Sequence, residues 1–178
     1  MKYWLLFILI GLISLSTLSL TCEAKDRGFF GNMKRLIFPP DDLYELRVKT
    51  EIDINKNTGV TTSKFLVKYD GPYNYGVLLD NLTTDDYFGK KAKTIDLRLQ
   101  LDFYENNQPI FSTESNVTAF LPFLGLRGNG LRLGSFETPE QVPLMKEVEC
   151  KVTVIAPDET LQSKYGPVWF YIKKQSEK

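Results

Sequence analysis

Ile95-Asp96-Leu97-Arg98-Leu99-Gln100-Leu101-Asp102-Phe103-Tyr104 decides the fold. Ile95, Leu97, Leu99, Leu101 and Phe103 alternate with Asp96, Arg98, Gln100, Asp102 and Tyr104. A period of two puts one set of side chains on each face of a β-strand, so this strand has a buried face and a wet one. Asn106-Asn107 tolerates positive φ and turns the chain into a second strand, Ile110 to Ala119.

The same pattern extends in both directions. Toward the N-terminus, Tyr44, Leu46, Val48, Ile52 and Ile54 alternate with charged residues, and Asn55-Lys56-Asn57-Thr58-Gly59 separates them from the β-branched run Val60 to Tyr69. The spacing predicts a β-hairpin over this pair. Asp70-Gly71-Pro72 then breaks the chain before a short strand, Tyr75 to Leu79. Asn81 to Lys93 shows no alternation and reads as a loop or a single helical turn. Toward the C-terminus, Gly130 to Thr138, Glu147 to Ile155 and Val168 to Lys173 are further strands bounded by Gly or Pro. Seven or eight alternating strands with no long amphipathic helix predict an all-β protein, a single antiparallel β-sandwich in which every strand keeps one charged side. Parallel strands, buried on both faces, would read as continuous apolar runs.

Two stretches carry a resemblance. Thr94 to Glu105 with its hairpin into Ile110, and Glu149 to Ile172 with Tyr165-Gly166-Pro167-Val168-Trp169-Phe170-Tyr171, resemble small bacterial envelope lipoproteins with immunoglobulin-like sandwiches. The resemblance implies an immunoglobulin-like fold and a bacterial envelope address. It transfers no functional residue.

The N-terminus points to the same compartment. Lys2 precedes an apolar run from Tyr3 to Leu20, which reads as an export signal over residues 1–21. Leu18-Ser19-Leu20-Thr21-Cys22 looks like a lipoprotein signal that would place a lipid on Cys22, whereas Cys22-Glu23-Ala24 suits ordinary cleavage after residue 24. The run also overlaps the lower limit for crossing a bilayer, so an uncleaved anchor is a third reading. The expected location is the periplasm or the envelope membrane, with secretion open. Residues 22–42 mix Gly and Pro with Phe29, Phe30, Leu36, Ile37 and Phe38 and are expected to form a tether, leaving 43–178 as the sandwich.

Charge and chemistry narrow the function. The 22 basic and 22 acidic residues balance, and loss of residues 1–21 removes only Lys2. Such a chain lacks the clustered Lys and Arg that nucleic-acid binding needs. The sequence has no histidine, which excludes Ser-His-Asp and Cys-His catalysis and removes the usual zinc ligand. Cys150 alternates inward within Val148 to Val154 and is expected to pack as a small hydrophobe, and no disulfide is expected. Asp41-Asp42, Asp85-Asp86 and Glu137 with Glu140 are the carboxylate pairs to weigh for acid/base chemistry, and Asp80, Asn81, Asp85 and Asp86 offer oxygens without the spacing of a calcium loop. Gly125-Leu126-Arg127-Gly128-Asn129-Gly130 has no following Lys-Ser/Thr and reads as a hairpin turn, not a phosphate cradle. Asn81-Leu82-Thr83 and Asn116-Val117-Thr118 match the glycosylation sequon. No cofactor or metal is expected.

Two segments stand out as contact surfaces. Tyr69-Asp70-Gly71-Pro72-Tyr73-Asn74-Tyr75 gathers aromatics at a turn, and Phe120-Leu121-Pro122-Phe123-Leu124-Gly125-Leu126 is an apolar run that does not alternate. Tyr73, Tyr75, Phe120, Phe123 and Leu124 are therefore the expected contacts for a protein partner, because aromatic and apolar anchors dominate interface energetics. The expected function is non-catalytic recognition: an immunity-type neutraliser of a toxin delivered to the periplasm, or an accessory envelope factor. The alternative is a carbohydrate-binding module using Tyr69, Tyr73 and Trp169 as its platform.

Overall fold

The computed structural model describes residues 40–55, 60–81, 96–115, 122–125 and 128–175. Within the compact unit Asp41–Lys178 they form nine strands and one short helix. The strands are β1 (Leu46–Glu51), β2 (Val60–Val67), β3 (Gly71–Leu79), β4 (Arg98–Glu105), β5 (Gln108–Glu114), β6 (Pro122–Gly125), β7 (Gly128–Thr138), β8 (Lys146–Ala156) and β9 (Val168–Lys174). The helix α1 (Glu159–Tyr165) joins β8 to β9. One antiparallel sheet has the order β1-β9-β3-β7-β6 and the other the order β2-β8-β4-β5. The all-β sandwich is thus the fold.

The core lies between the sheets and is built by the inward half of each alternation. Leu99, Leu101 and Phe103 of β4 and Val148, Cys150, Val152 and Val154 of β8 face Tyr73, Tyr75, Val77, Phe170 and Ile172 of the first sheet. Phe103 links the layers, with its ring centroid 4.9 Å from Phe136 and 6.5 Å from Phe65. Such tilted and edge arrangements suit the aromatic quadrupole.

Three expectations change. Residues 46–51 and 60–67 do not pair as a hairpin: β1 bonds to β9 and β2 to β8, so the connection crosses between sheets. Alternation identifies each strand but carries no information about its partner. Secondly, β3 carries no charged residue at all, and β9 carries charge only at its end, in Lys173 and Lys174. Tyr73, Tyr75, Val77 and Leu79 enter the core, while Leu78 and Tyr171 are buried on the opposite face. These are interior strands of the five-stranded sheet, and Val77-Leu78-Leu79 and Val168 to Ile172 are continuous apolar runs suited to burial on both sides. Thirdly, α1 follows a helix-start signal that periodicity alone passes over. The Asp158 carboxylate accepts from the Thr160 backbone N–H, Glu159 sits in the first turn, and Gly166 at φ 81° ends the helix.

Candidate interaction surface

The beginning of β1, the end of β2, the beginning of β3 and the β7–β8 connection meet at one end of the sandwich. Asp42 organises it. Its carboxylate accepts from Lys68 Nζ at 3.1 Å, from Arg47 Nη1 at 3.3 Å and from the Tyr69 hydroxyl, while Arg47 Nη2 donates to the Asp42 carbonyl at 2.7 Å. The Arg47 guanidinium lies 5.3 Å from the Tyr69 ring centroid and the Lys68 ammonium 5.4 Å from it. A β-bulge between Leu46 and Val48 places Arg47 out of register with β9, and its side chain reaches across to the β2 end.

The electrostatics follow from this geometry. Burial would raise the Asp42 carboxyl, but the hydrogen bonds from Tyr69 and Lys68 and the charges of Arg47 and Lys68 together outweigh it, and the carboxyl is lowered to about 2. Its hydrogen bond to Asp42 raises Lys68, and burial raises Tyr69. Each group is held in its neutral-pH protonation state. The cluster therefore acts as a clasp and is poorly suited to moving protons near pH 7.

Around the clasp stand the exposed large apolar side chains of the described residues: Leu66 (46% exposed), Met145 (45%), Tyr44 (38%) and Leu46 (37%). Met145 is held next to the β2 end because its backbone N–H donates to the Val67 carbonyl at 2.7 Å. Leu46 precedes Arg47 of the clasp, and Leu66 precedes Val67. The Lys146 ammonium, 2.9 Å from the Glu105 carboxylate, ties the β4–β5 turn to the same end. Four apolar groups and a neutralised polar cluster share this end.

The expected contacts fall elsewhere. Tyr73 and Tyr75 are 0% and 2% exposed, so they are corrected from surface contacts to core residues. They sit at odd positions of β3, whose odd face is the inward one. Tyr73 stacks on Phe136 at 5.4 Å and its hydroxyl accepts from the Tyr69 N–H, while the Tyr75 hydroxyl occupies the space where Gly134 lacks a Cβ. Phe123 and Leu124 lie in β6, paired with Gly130 and Asn129 of β7. Phe120, Cys22, Asp85, Asp86 and Asn116 lie outside the described residues. Nor is there an open aromatic platform for a sugar at the residues expected to form one: Tyr69 and Tyr73 are buried, and the Lys49 ammonium covers Trp169 at 4.9 Å from its ring centroid.

The remaining chemical candidates are spread out. Cys150 is buried, and burial together with the Asp102 charge pushes its thiol far up, so no thiolate forms near neutral pH. Asp80, Asn81, Glu137 and Glu140 are exposed, and the Asn81 amide donates to the Tyr165 carbonyl at 3.3 Å. Among the described residues no three carboxylate or thiol groups converge as metal ligands would. Gly125 pairs with Gly128 at the β6–β7 hairpin, so these glycines do sit at a turn between strands.

The clasp was half visible in sequence. Asp41-Asp42 stands out along the chain as an acidic pair, but nothing local links it to Lys68 and Tyr69, which are 26 and 27 positions away.

No family model matches the chain, and no curated protein does. A protein from Sulfurospirillum deleyianum, known from its crystal structure, is similar in backbone with a TM-score of 0.49 and 8% identity, over 73% of this chain and 98% of that one.

Proposed function

We propose that this protein is a non-catalytic binder of another protein in a bacterial cell envelope, either an immunity-type neutraliser or an accessory factor, released after export or anchored by lipid at Cys22. The observation that carries the reading is that Tyr44, Leu46, Leu66 and Met145, the exposed large apolar side chains of the described residues, all stand on segments that meet at the Asp42 end of the sandwich. Scattered exposed hydrophobes need no explanation, but a group beside a rigid polar clasp has the make-up of an interface centre with a polar rim. The absence of histidine from the sequence and the unreactive setting of Cys150 favour binding over turnover.

The test is co-purification from envelope fractions with tagged full-length protein. One specific partner should be retained by the wild type and lost in a Leu46→Glu/Met145→Glu variant that keeps the wild-type melting temperature. Retention of that partner by the folded double variant would count against this end as the contact. Metabolic labelling with a palmitate analogue should tag the wild type and miss Cys22→Ala; an unlabelled wild type removes the anchor from the proposal.

A further inference from the structure

The charged groups at the Asp42 end, around the exposed apolar side chains, are unequally committed. The bases are engaged: Arg47 and Lys68 both pair with Asp42, and Lys146 pairs with Glu105. At the end of β9, Lys173 is half-buried and Lys174 is buried. The acids are not engaged in this way. Asp41, Glu45, Glu137, Glu140 and Glu147 are all exposed, and among the described residues none of them stands in an ion pair.

These acids sit on the same segments as the apolar group. Glu45 stands between Tyr44 and Leu46 in the chain, and Glu147 is directly opposite Leu66 in the β2–β8 register. Glu140 belongs to the β7–β8 connection that carries Met145, and Glu137 is opposite Pro72 at the start of β3. Asp41 adjoins Asp42 of the clasp. The balanced charge of the whole chain thus conceals a local excess of unpaired carboxylate.

That combination selects a partner by charge. Apolar groups gain from being covered by an apolar surface, whereas free carboxylates at their edge attract Lys and Arg and repel other acids. An anionic lipid surface recruits basic segments and is disfavoured here for the same reason. We infer that the Asp42 end docks a basic protein surface, one with an apolar centre and a rim of Lys or Arg that meets Glu45 and Glu147. The inference rests on the proposed reading of this end as a protein contact, and it adds the charge of what is contacted.

Fluorescence anisotropy with two helical peptides, one of Leu and Lys and one of Leu and Glu, tests the charge of the occupant on the full chain. The Leu/Lys peptide should bind and the Leu/Glu peptide should not. Glu45→Lys/Glu147→Lys should weaken binding about tenfold or more, and Glu45→Gln/Glu147→Gln should weaken it less. Glu51→Lys/Asp80→Lys makes the same change of net charge at the other end of the sandwich, where β1 and β3 finish, and should leave binding within about twofold. Leu46→Glu/Met145→Glu adds two acids, so attraction by charge alone would tighten binding, whereas docking on the apolar group should lose it. All the substituted positions are exposed, so melting curves should match the wild type. Equal binding of both peptides, lost in Leu46→Glu/Met145→Glu, overturns the basic partner and keeps this end as a contact surface. Tighter binding in that variant, equal weakening by the two charge-reversed pairs, binding of neither peptide, or a preference for phosphatidylglycerol vesicles over the Leu/Lys peptide also overturns the inference.

Discussion

The outer faces of the two sheets are built differently. On the four-stranded sheet, cross-strand neighbours on the wet side are polar apart from Leu66: Lys64 stands opposite Glu149, Lys151 opposite Asp102, and Asp102 accepts from Ser112 and Gln100. On the five-stranded sheet the two central strands contribute Trp169 with Leu78, and Tyr171 with Gly76, and charged residues enter these rows only from the flanking strands, as Glu51, Lys49 and Arg132. The Tyr171 ring lies against the glycines: a Cβ on Gly76 would be 3.0 Å from its Cε1 and 1.9 Å from the Leu131 carbonyl oxygen. The comparison teaches that an antiparallel sheet need not keep a wet face. Where small residues leave room beside the backbone, as Gly76 and Gly130 do, a large ring can pack against the strands on the side away from the core.

Substitutions at equivalent depths should separate the two faces. The largest effect is expected for Tyr171→Ala, which empties a fully buried aromatic position and should cost about 3 to 5 kcal/mol in chemical denaturation. A cost below about 1 kcal/mol would mean that the ring packs loosely and that the two faces are alike. Gly76→Ala comes next, at about 3 kcal/mol, because the added methyl meets backbone that cannot rotate away. Wild-type stability in this variant would show that β3 and β7 can separate there.

The clasp gives a smaller, pH-dependent effect. The Asp42 carboxyl titrates at about 2 in the folded protein against an ordinary 3.8. Its contribution is therefore complete above pH 3.8 and is lost as the pH falls from there through 2. With a third of the side chain open to solvent, screening reduces it to about 1 kcal/mol. Asp42→Asn should lose that amount at pH 7 and show a flatter stability profile between pH 4 and 2. An unchanged profile would mean that the clasp forms no net bond in solution. The smallest effect belongs to the polar face, where Lys151→Ala should stay within about 0.5 kcal/mol of wild type. Cys150, on the inner side of the same strand, should not react with a thiol reagent until the protein is unfolded, and rapid labelling of the native state would contradict its burial.

Much of the fold was legible along the chain. The alternation in β4 and β8 and the Asn106-Asn107 turn appear in the structure where the spacing put them, because period two is a local property of a strand with one core face. The inward position of Cys150 follows from the same parity. Less was legible at the candidate site. Tyr73 and Tyr75 look like a surface cluster in sequence because tyrosine tolerates either environment, and only the parity of β3 at a central position of its sheet decides between them. Tyr44, Leu46, Leu66 and Met145 come from three separate segments, so no window of sequence contains their grouping.

The sequence by itself determined the all-β class, the absence of imidazole chemistry and the inward face of most strands, each of which depends on composition or on neighbours two positions apart. Tertiary structure alone decided that β1 and β2 belong to different sheets, that Asp42 finds Lys68 and Tyr69 beyond β2, and that a tyrosine packs on the glycine-bearing outer face of β3. Pairing and burial depend on which distant segments meet, and alternation is the same whichever partner a strand finally takes.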